Sequence, residues 1–394
     1  MKKSIVFVIA FISVFVLAGT VHAKITPDKN TARKRVVVHT IKEEASAVAL
    51  GCEVVRNAKT LKALSCPQEA VESLSLPEDV RVFALPGNQI TATGNPQPST
   101  ASADANQQIG ANLVHVSGNT GVGRKIAVLD TGYDYTHPEL KSSYLGGKDF
   151  SNNDNDPMDD NGHGSHVSGI ITADGIDPKA KGVAPSAGIV VGKVLDYNGA
   201  GYFSDVVAGI YWAVNGPDGA YGTKDDFKVD AINISLGTDA PYMYTDSCDT
   251  VLPDMTTAIK YAVQKNIPVI AASGNNGSAG VSIPGCISAA TTVGSLDATN
   301  VVTAFSGRGN ALDITAPGTN IYSTTLGGSY ASWSGTSMST PIISGVVALI
   351  KSKHPTYTQK KVEGQIFSTA LDLGTRGKDS AYGNGKVRAN LAAK

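Results

Sequence analysis

Trp333-Ser-Gly-Thr-Ser-Met-Ser-Thr-Pro341, with Ser337 near its middle, is the stretch around which this chain is organised. A Gly-rich, strand-like approach over 327–333 runs into Gly335, and a small-residue segment over 342–350 has the composition of a tightly packed helix. A serine at the start of such a helix lies near the positive end of the helix dipole, where backbone N–H groups have no intrahelical partner. An acyl-transfer nucleophile needs that environment. A helix-capping serine gives the same local pattern, so the decision rests on the residues upstream.

From Gln107 onward, short apolar runs alternate with helical patterns. The runs Lys125-Ile-Ala-Val-Leu129, Ile189–Leu195, Val229–Ser235 and Ile267–Ala272 have the character of buried parallel strands. Helical periodicity falls at roughly 163–173, 203–214, 253–265, 336–352 and 359–371. This alternation predicts an α/β fold, a mostly parallel central sheet with helices on both faces. In such sheets chemistry gathers at the carboxyl ends of strands.

Three further residues stand at such places. Asp130 directly follows the first run, where a turn or cap aspartate is the plain alternative. His163 lies between glycines in Asn161-Gly-His-Gly-Ser-His-Val-Ser-Gly169, a position that lets the backbone approach a neighbour closely. Histidine suits proton shuttling near neutral pH. His166 makes a metal pair with His163 conceivable, but no Glu stands at the metallopeptidase spacing, and a packed helix histidine explains it. Asn275, in Ala271-Ala-Ser-Gly-Asn-Asn-Gly277, could offer an amide donor to a developing oxyanion or serve as a turn asparagine.

The order Asp130, His163, Asn275, Ser337 and the blocks Val-Leu-Asp-Thr-Gly, Asn-Gly-His-Gly-Ser-His-Val, Ala-Ser-Gly-Asn-Asn-Gly and Ser-Gly-Thr-Ser-Met-Ser-Thr-Pro resemble the signature blocks of the subtilisin-like serine peptidases. The resemblance covers about 107–394 and implies a three-layer subtilisin-like fold and endopeptidase activity. It casts Ser337 as nucleophile, His163 as base and then acid, Asp130 as the residue that orients His163, and Asn275 with the Ser337 N–H as oxyanion hole. A histidine base must be neutral, so activity is expected to favour neutral to alkaline pH. The resemblance also implies that Ser235, Leu236 and Gly237 pair with substrate backbone. Ala272, Ser273 and Gly274 would wall the pocket before the scissile bond, and Phe203 with Leu236 would line an apolar outer pocket. Small walls predict a preference for large apolar or aromatic residues. Ser165, Ser339 and Ile342 depart from the usual residues but leave the four catalytic positions filled. A silent fold would lack one of them, and a narrow processing peptidase remains the rival within the family.

The N-terminal third reads differently. Lys2 and Lys3 precede an apolar run from Ile5 to about Ala18, and Val21-His-Ala23 closes it: a signal peptide over 1–23, too short for a comfortable membrane span. Residues 24–92 suggest a small α+β module with strands at 35–41 and 80–85 and helical patterns at 44–56 and 67–74. The stretch 94–103, rich in Pro, Ser and Ala, is a linker. By resemblance, 24–105 is an inhibitory propeptide cut somewhere in 90–106, and 106–394 is the catalytic domain, a secreted zymogen released outside the cell or into a periplasm.

Four cysteines in an exported chain suggest disulfides, and the sequential pairing, Cys52–Cys66 and Cys248–Cys286, keeps each bridge within one domain. Asp149, Asp154 and Asp156 crowd one loop and are candidate ligands for structural calcium, which the resemblance also raises. At the family's stronger calcium site this chain departs from the pattern: Glu139 replaces a usual Asp and 174–181 lacks the usual Asn-rich pattern. Asp218, Asp225 and Asp226 form a second acidic loop with no assignable role. With 394 residues, net charge −1 and 42% hydrophobic residues, nothing points to nucleic acid or a membrane surface. The expected partners are protein substrates and the chain's own propeptide, acting on a monomer.

Overall fold

The computed structural model describes residues 33–85 and 102–394. The expected signal peptide and most of the expected cleavage window lie outside the described residues. The N-terminal module is built from β1 (Arg33–Val38), α1 (Ile41–Ala49), β2 (Glu53–Asn57), β3 (Lys62–Pro67), α2 (Gln68–Leu74) and β4 (Arg81–Ala84). β1, β3 and β2 form an antiparallel sheet. The helical pattern read over 44–56 is corrected: α1 ends at Ala49, Gly51 turns the chain at φ 87°, and Glu53–Asn57 is a strand. Val54 and Val55 favour extended backbone once the helix has stopped. Thr40 and Glu43 close a capping box at the other end of α1. Cys52 and Cys66 are joined, tying the end of α1 to β3.

The larger unit begins with α3 (Ser102–Ile109) and α4 (Ala111–Val116), helices not expected from the sequence. It continues through β5 (Lys125–Asp130), β6 (Tyr144–Asp149), α5 (His163–Thr172), β7 (Gly188–Lys193), β8 (Ala200–Tyr202), α6 (Phe203–Asn215), β9 (Ala231–Ile234) and β10 (Leu236–Gly237). Then come β11 (Met243–Tyr244), α7 (Pro253–Gln264), β12 (Val269–Ala272), β13 (Val281–Ser282), β14 (Thr291–Leu296), β15 (Ile314–Pro317), β16 (Ile321–Thr324), β17 (Tyr330–Trp333), α8 (Thr336–Lys353) and α9 (Gln359–Ser368).

A seven-stranded sheet in the order β15-β14-β12-β9-β5-β7-β6 forms the centre, and all its pairings are parallel. One apolar cluster joins α5 and α8 to one face of this sheet, and another joins α6 and α7 to the opposite face. The predicted α/β architecture is the one observed. From β5 the chain builds β6 and β7 on one side and then β9 on the other. That reversal opens a crevice at the carboxyl ends of β5 and β9, where Asp130 and Ser235 stand.

Candidate active site

Asp130 ends β5 with its side chain buried, and its Oδ1 lies 2.7 Å from His163 Nδ1 and accepts from the Thr131 N–H at 2.7 Å. His163 opens α5 because the turn before it is fixed by Asp159. That buried carboxylate accepts from the N–H groups of Asn161, Gly162 and Ser165 and from the hydroxyls of Thr131 and Ser165. Gly164 packs so closely on Gly132 that an added Cβ would lie 2.2 Å from the Gly132 carbonyl oxygen. The glycine flanking His163 is therefore required by close approach.

His166 is not a metal partner for His163. It stacks on Trp333 with centroids 4.4 Å apart, and its Nε2 lies 3.1 Å from the Ala331 carbonyl oxygen. Burial pushes its imidazole down to about 3, so it is neutral and apolar in function. The same Trp333 ring lies 6.3 Å from the His163 ring at an 18° interplanar angle.

Ser337 is the second residue of α8, so its N–H has no intrahelical acceptor. Its hydroxyl donates to the Ser235 carbonyl at 2.7 Å, while His163 Nε2 is buried without a hydrogen-bond partner. Asn275 is oriented by Thr336, whose N–H and hydroxyl both donate to Oδ1 at 3.0 Å. A backbone N–H needs an oxygen, so the amide Nδ2 must face the other way, and it donates to the Leu85 carbonyl oxygen at 2.8 Å. Thr336 was missed as a positioning residue although it lies in the quoted serine block.

Leu85 belongs to the N-terminal module. β4 lies between β8 and β10 and pairs antiparallel with both. Ala84 is opposite Leu236, Phe83 opposite Gly237, and Val82 opposite Gly201. Leu85 is buried, and a Cβ added at Gly237 would lie 3.1 Å from its side chain. Gly237 and Gly274 both face Ser282, so a pocket wall there carries little side chain. Ala272 and Ser273 end the neighbouring strand, buried. Phe203 and Leu236 share an apolar cluster with Val82. The Cys248–Cys286 bridge joins the segment after β11 to the segment after β13.

The three aspartates read as calcium ligands each accept from donors close in the chain or from Tyr135, and the Asp149 backbone is bridged to that of Asp154. Asp149 accepts from the Asn152 backbone and side chain, Asp154 from the Asp156 N–H, and Asp156 from Tyr135 and the Met158 N–H. Among the described residues no group of three or more His, Cys, Asp or Glu side chains could hold a metal. The loop after α5 is closed by buried Glu139, whose carboxylate accepts from the N–H groups of Gly175, Ile176 and Asp177 and from the Tyr330 hydroxyl. Those N–H dipoles point their positive ends inward, which suits an anion and not a cation. The inward N–H groups gathered on Glu139 do not fit calcium at that place.

Comparison with known proteins agrees with the geometry. The model of the Peptidase S8 subtilase family matches residues 121–385. Subtilisin E of Bacillus subtilis strain 168 is 38% identical over 291 residues, covering 73% of this chain and 70% of the relative. Subtilisin of Bacillus pumilus is also 38% identical and is covered over 96% of its length. Subtilisin BL of Lederbergia lenta is 37% identical over 287 residues, with 97% of it covered. An Asp–His pair at a strand end, a serine at a helix start and a match spanning most of the larger unit place this chain in the subtilase family, as a subtilisin-like serine endopeptidase.

Proposed function

We propose that the protein is a secreted endopeptidase of broad specificity that forms an acyl-enzyme on Ser337 and favours large apolar residues before the scissile bond. The Ser337 hydroxyl oxygen attacks the substrate carbonyl carbon while its proton passes to His163 Nε2. The electron pair displaced onto oxygen is held by Asn275 Nδ2 and the Ser337 N–H. Collapse breaks the C–N bond, and His163 returns the proton to the leaving nitrogen. Water then repeats the sequence and frees the acid. Asp130 keeps Nδ1 protonated and steadies the imidazolium. No step needs a metal.

The observation that carries this reading is the Leu85 carbonyl oxygen, 2.8 Å from the Asn275 amide nitrogen, at the end of a strand paired as an extended substrate would be. We infer that residues 24–105 are an inhibitory propeptide, that 1–23 direct export out of the cell, and that the enzyme acts as a monomer on proteins. The bond beyond Leu85 runs to Pro86, a tertiary amide whose nitrogen carries no hydrogen. A tertiary amide of this kind is a poor bond to cleave, so the module serves as an inhibitor while the releasing cut falls within 90–106. Phe203 and Leu236 accept the apolar residue that Val82 represents.

The test is intact mass of the exported wild type beside Ser337→Ala. We expect the wild type to lose the signal and the module and the variant to lose only the signal. Inhibition of chromogenic-peptide hydrolysis by a serine-directed reagent accompanies it. Identical full-length masses, with no hydrolysis by the wild type, would overturn the reading.

A further inference from the structure

Three arginines of the module converge on one face of the larger unit, around the first turn of α6. The Arg35 guanidinium lies 4.3 Å from the Tyr202 ring centroid and donates to Ser204 Oγ and Asp205 Oδ1, both at 2.7 Å. Arg56 donates from Nε to the same Asp205 oxygen at 2.6 Å, to Asn153 Oδ1 at 2.9 Å and to the Phe150 carbonyl oxygen. Arg81, in β4, lies 4.8 Å from the Tyr202 ring centroid and donates to its hydroxyl at 3.2 Å. Asp79, a second carboxylate on Arg35, belongs to the module and leaves with it. Among the described residues, both partners of the Asp205 carboxylate are arginines of the module.

Removal of the module therefore strips a carboxylate and an aromatic ring of their guanidinium partners at once. Both stand beside β8, the edge that pairs with the substrate-like strand. With Leu85 as the residue before the scissile bond, Arg81 is the fifth residue counted back and sits opposite Tyr202. We propose that Tyr202 and Asp205 form a guanidinium-binding subsite in the mature enzyme that selects arginine at the fifth position before the cleaved bond. The proposal rests on the peptidase reading above and adds its substrate class: extended segments with a basic residue ahead of an apolar stretch. Arg81 is seen on Tyr202, and Arg35 shows that one guanidinium can meet that ring and Asp205 together, which favours arginine over lysine at the vacated site.

The experiment is kcat/KM of the processed enzyme on acetyl-X-Val-Phe-Ala-Leu p-nitroanilides with X as Arg, Lys, Ala or Glu. Arg should exceed Ala by about fivefold, mostly through KM, with Lys between them and Glu below Ala. The advantage should shrink at about 1 M salt, and Asp205→Asn should bring the Arg-to-Glu ratio towards one. Equal values for Arg, Ala and Glu in the wild type overturn the proposal. So does an exported chain that keeps residues 33–85, because Arg35 and Arg56 then fill the site permanently. If the processed chain hydrolyses none of the peptides, the peptidase reading fails separately. Fluorescence anisotropy of labelled Arg-Val-Phe-Ala-Leu against its Ala and Glu counterparts then decides the subsite, tighter binding of the Arg peptide supporting it and equal binding overturning it.

Discussion

Glu139→Gln is a near-isosteric test of how the loop after α5 is held. The carboxylate is fully buried and accepts at 2.6 Å from Gly175, 3.0 Å from Ile176, 2.6 Å from Asp177 and 3.0 Å from the Tyr330 hydroxyl. Desolvation and the neighbouring carboxylate push Tyr330 up to about 12, so it is a donor throughout the working pH range. An amide keeps one acceptor oxygen and turns an NH₂ towards the other donors. If the oxygen stays on Gly175 and Ile176, their two bonds lose charge assistance, at about 1 kcal/mol each. Asp177 N–H is left facing a donor, at about 1–3 kcal/mol, while the Tyr330 hydroxyl can rotate to accept. The sum is about 3–5 kcal/mol, or roughly a 6–10 °C fall in Tm at about 2 °C per kcal/mol. Thermal unfolding of the processed enzyme, blocked with a serine-directed inhibitor to prevent self-digestion, reads this shift. A Gln variant within about 0.5 kcal/mol of the wild type, at the level of an ordinary surface substitution, would refute the claim that this carboxylate holds the loop.

Asn275→Ala should lower kcat by roughly 10²–10³ with little change in KM, a magnitude known from subtilisin itself and carried over to this relative; a tenfold loss or less would remove Asn275 from the oxyanion hole. Acid should destabilise the protein through His166, whose folded value of about 3 lies below its ordinary 6.5. Between these values the unfolded chain binds a proton that the native site refuses, so stability is present above about pH 6.5 and falls by about 1.4 kcal/mol per unit as pH drops towards 3. Denaturant titrations across this window should give a shallower slope for His166→Gln, and parallel slopes would contradict the assignment. Pro86→Ala should expose the bond beyond Leu85 to attack and yield a new N-terminus at residue 86, detectable by intact mass. An unchanged N-terminus would show that the proline does not protect that bond.

Much of the catalytic unit was legible because its helices carry long, uninterrupted patterns. The expected 203–214 and 336–352 are α6 (Phe203–Asn215) and α8 (Thr336–Lys353). The module was less legible because its elements are short. Its Gly51 turn falls within one apolar pattern, and the two β-branched residues Val54 and Val55 are too short a signal to mark the strand that follows. The sequential disulfide pairing is the one observed. Asp130, His163, Asn275 and Ser337 were legible as candidates because each stands at an element boundary, where backbone geometry constrains residue choice. Thr336 holds Asn275 through its N–H and hydroxyl, and Asp159 holds the turn before His163, both from positions without periodicity, so only coordinates reveal them. The acidic loop 149–156 is ambiguous in sequence for a related reason: aspartates that cap neighbouring N–H groups have the same composition as aspartates that gather a cation.

The ion pairs and the apolar strand of the module have different energetic roles. Arg35, Arg56, Asp79 and Asp205 are almost wholly shielded from water, with side-chain exposures of 14%, 7%, 0% and 2%. Shielding charges costs nearly what their attraction returns, so such a network contributes little net affinity, although deleting one partner is expensive. Val82 and Leu85, by contrast, are apolar and buried at 1% and 5% exposure, and each such side chain contributes about 1.5–3 kcal/mol on burial. Affinity therefore follows from β4 and its backbone pairing, while the arginines set register: Arg35 and Arg56 can reach Asp205 together only when β4 lies correctly between β8 and β10. A substrate lacking the module meets the same edge strands with Asp205 unneutralised. On the proposed release of the module, the charge that fixes its register becomes a means of choosing among substrates.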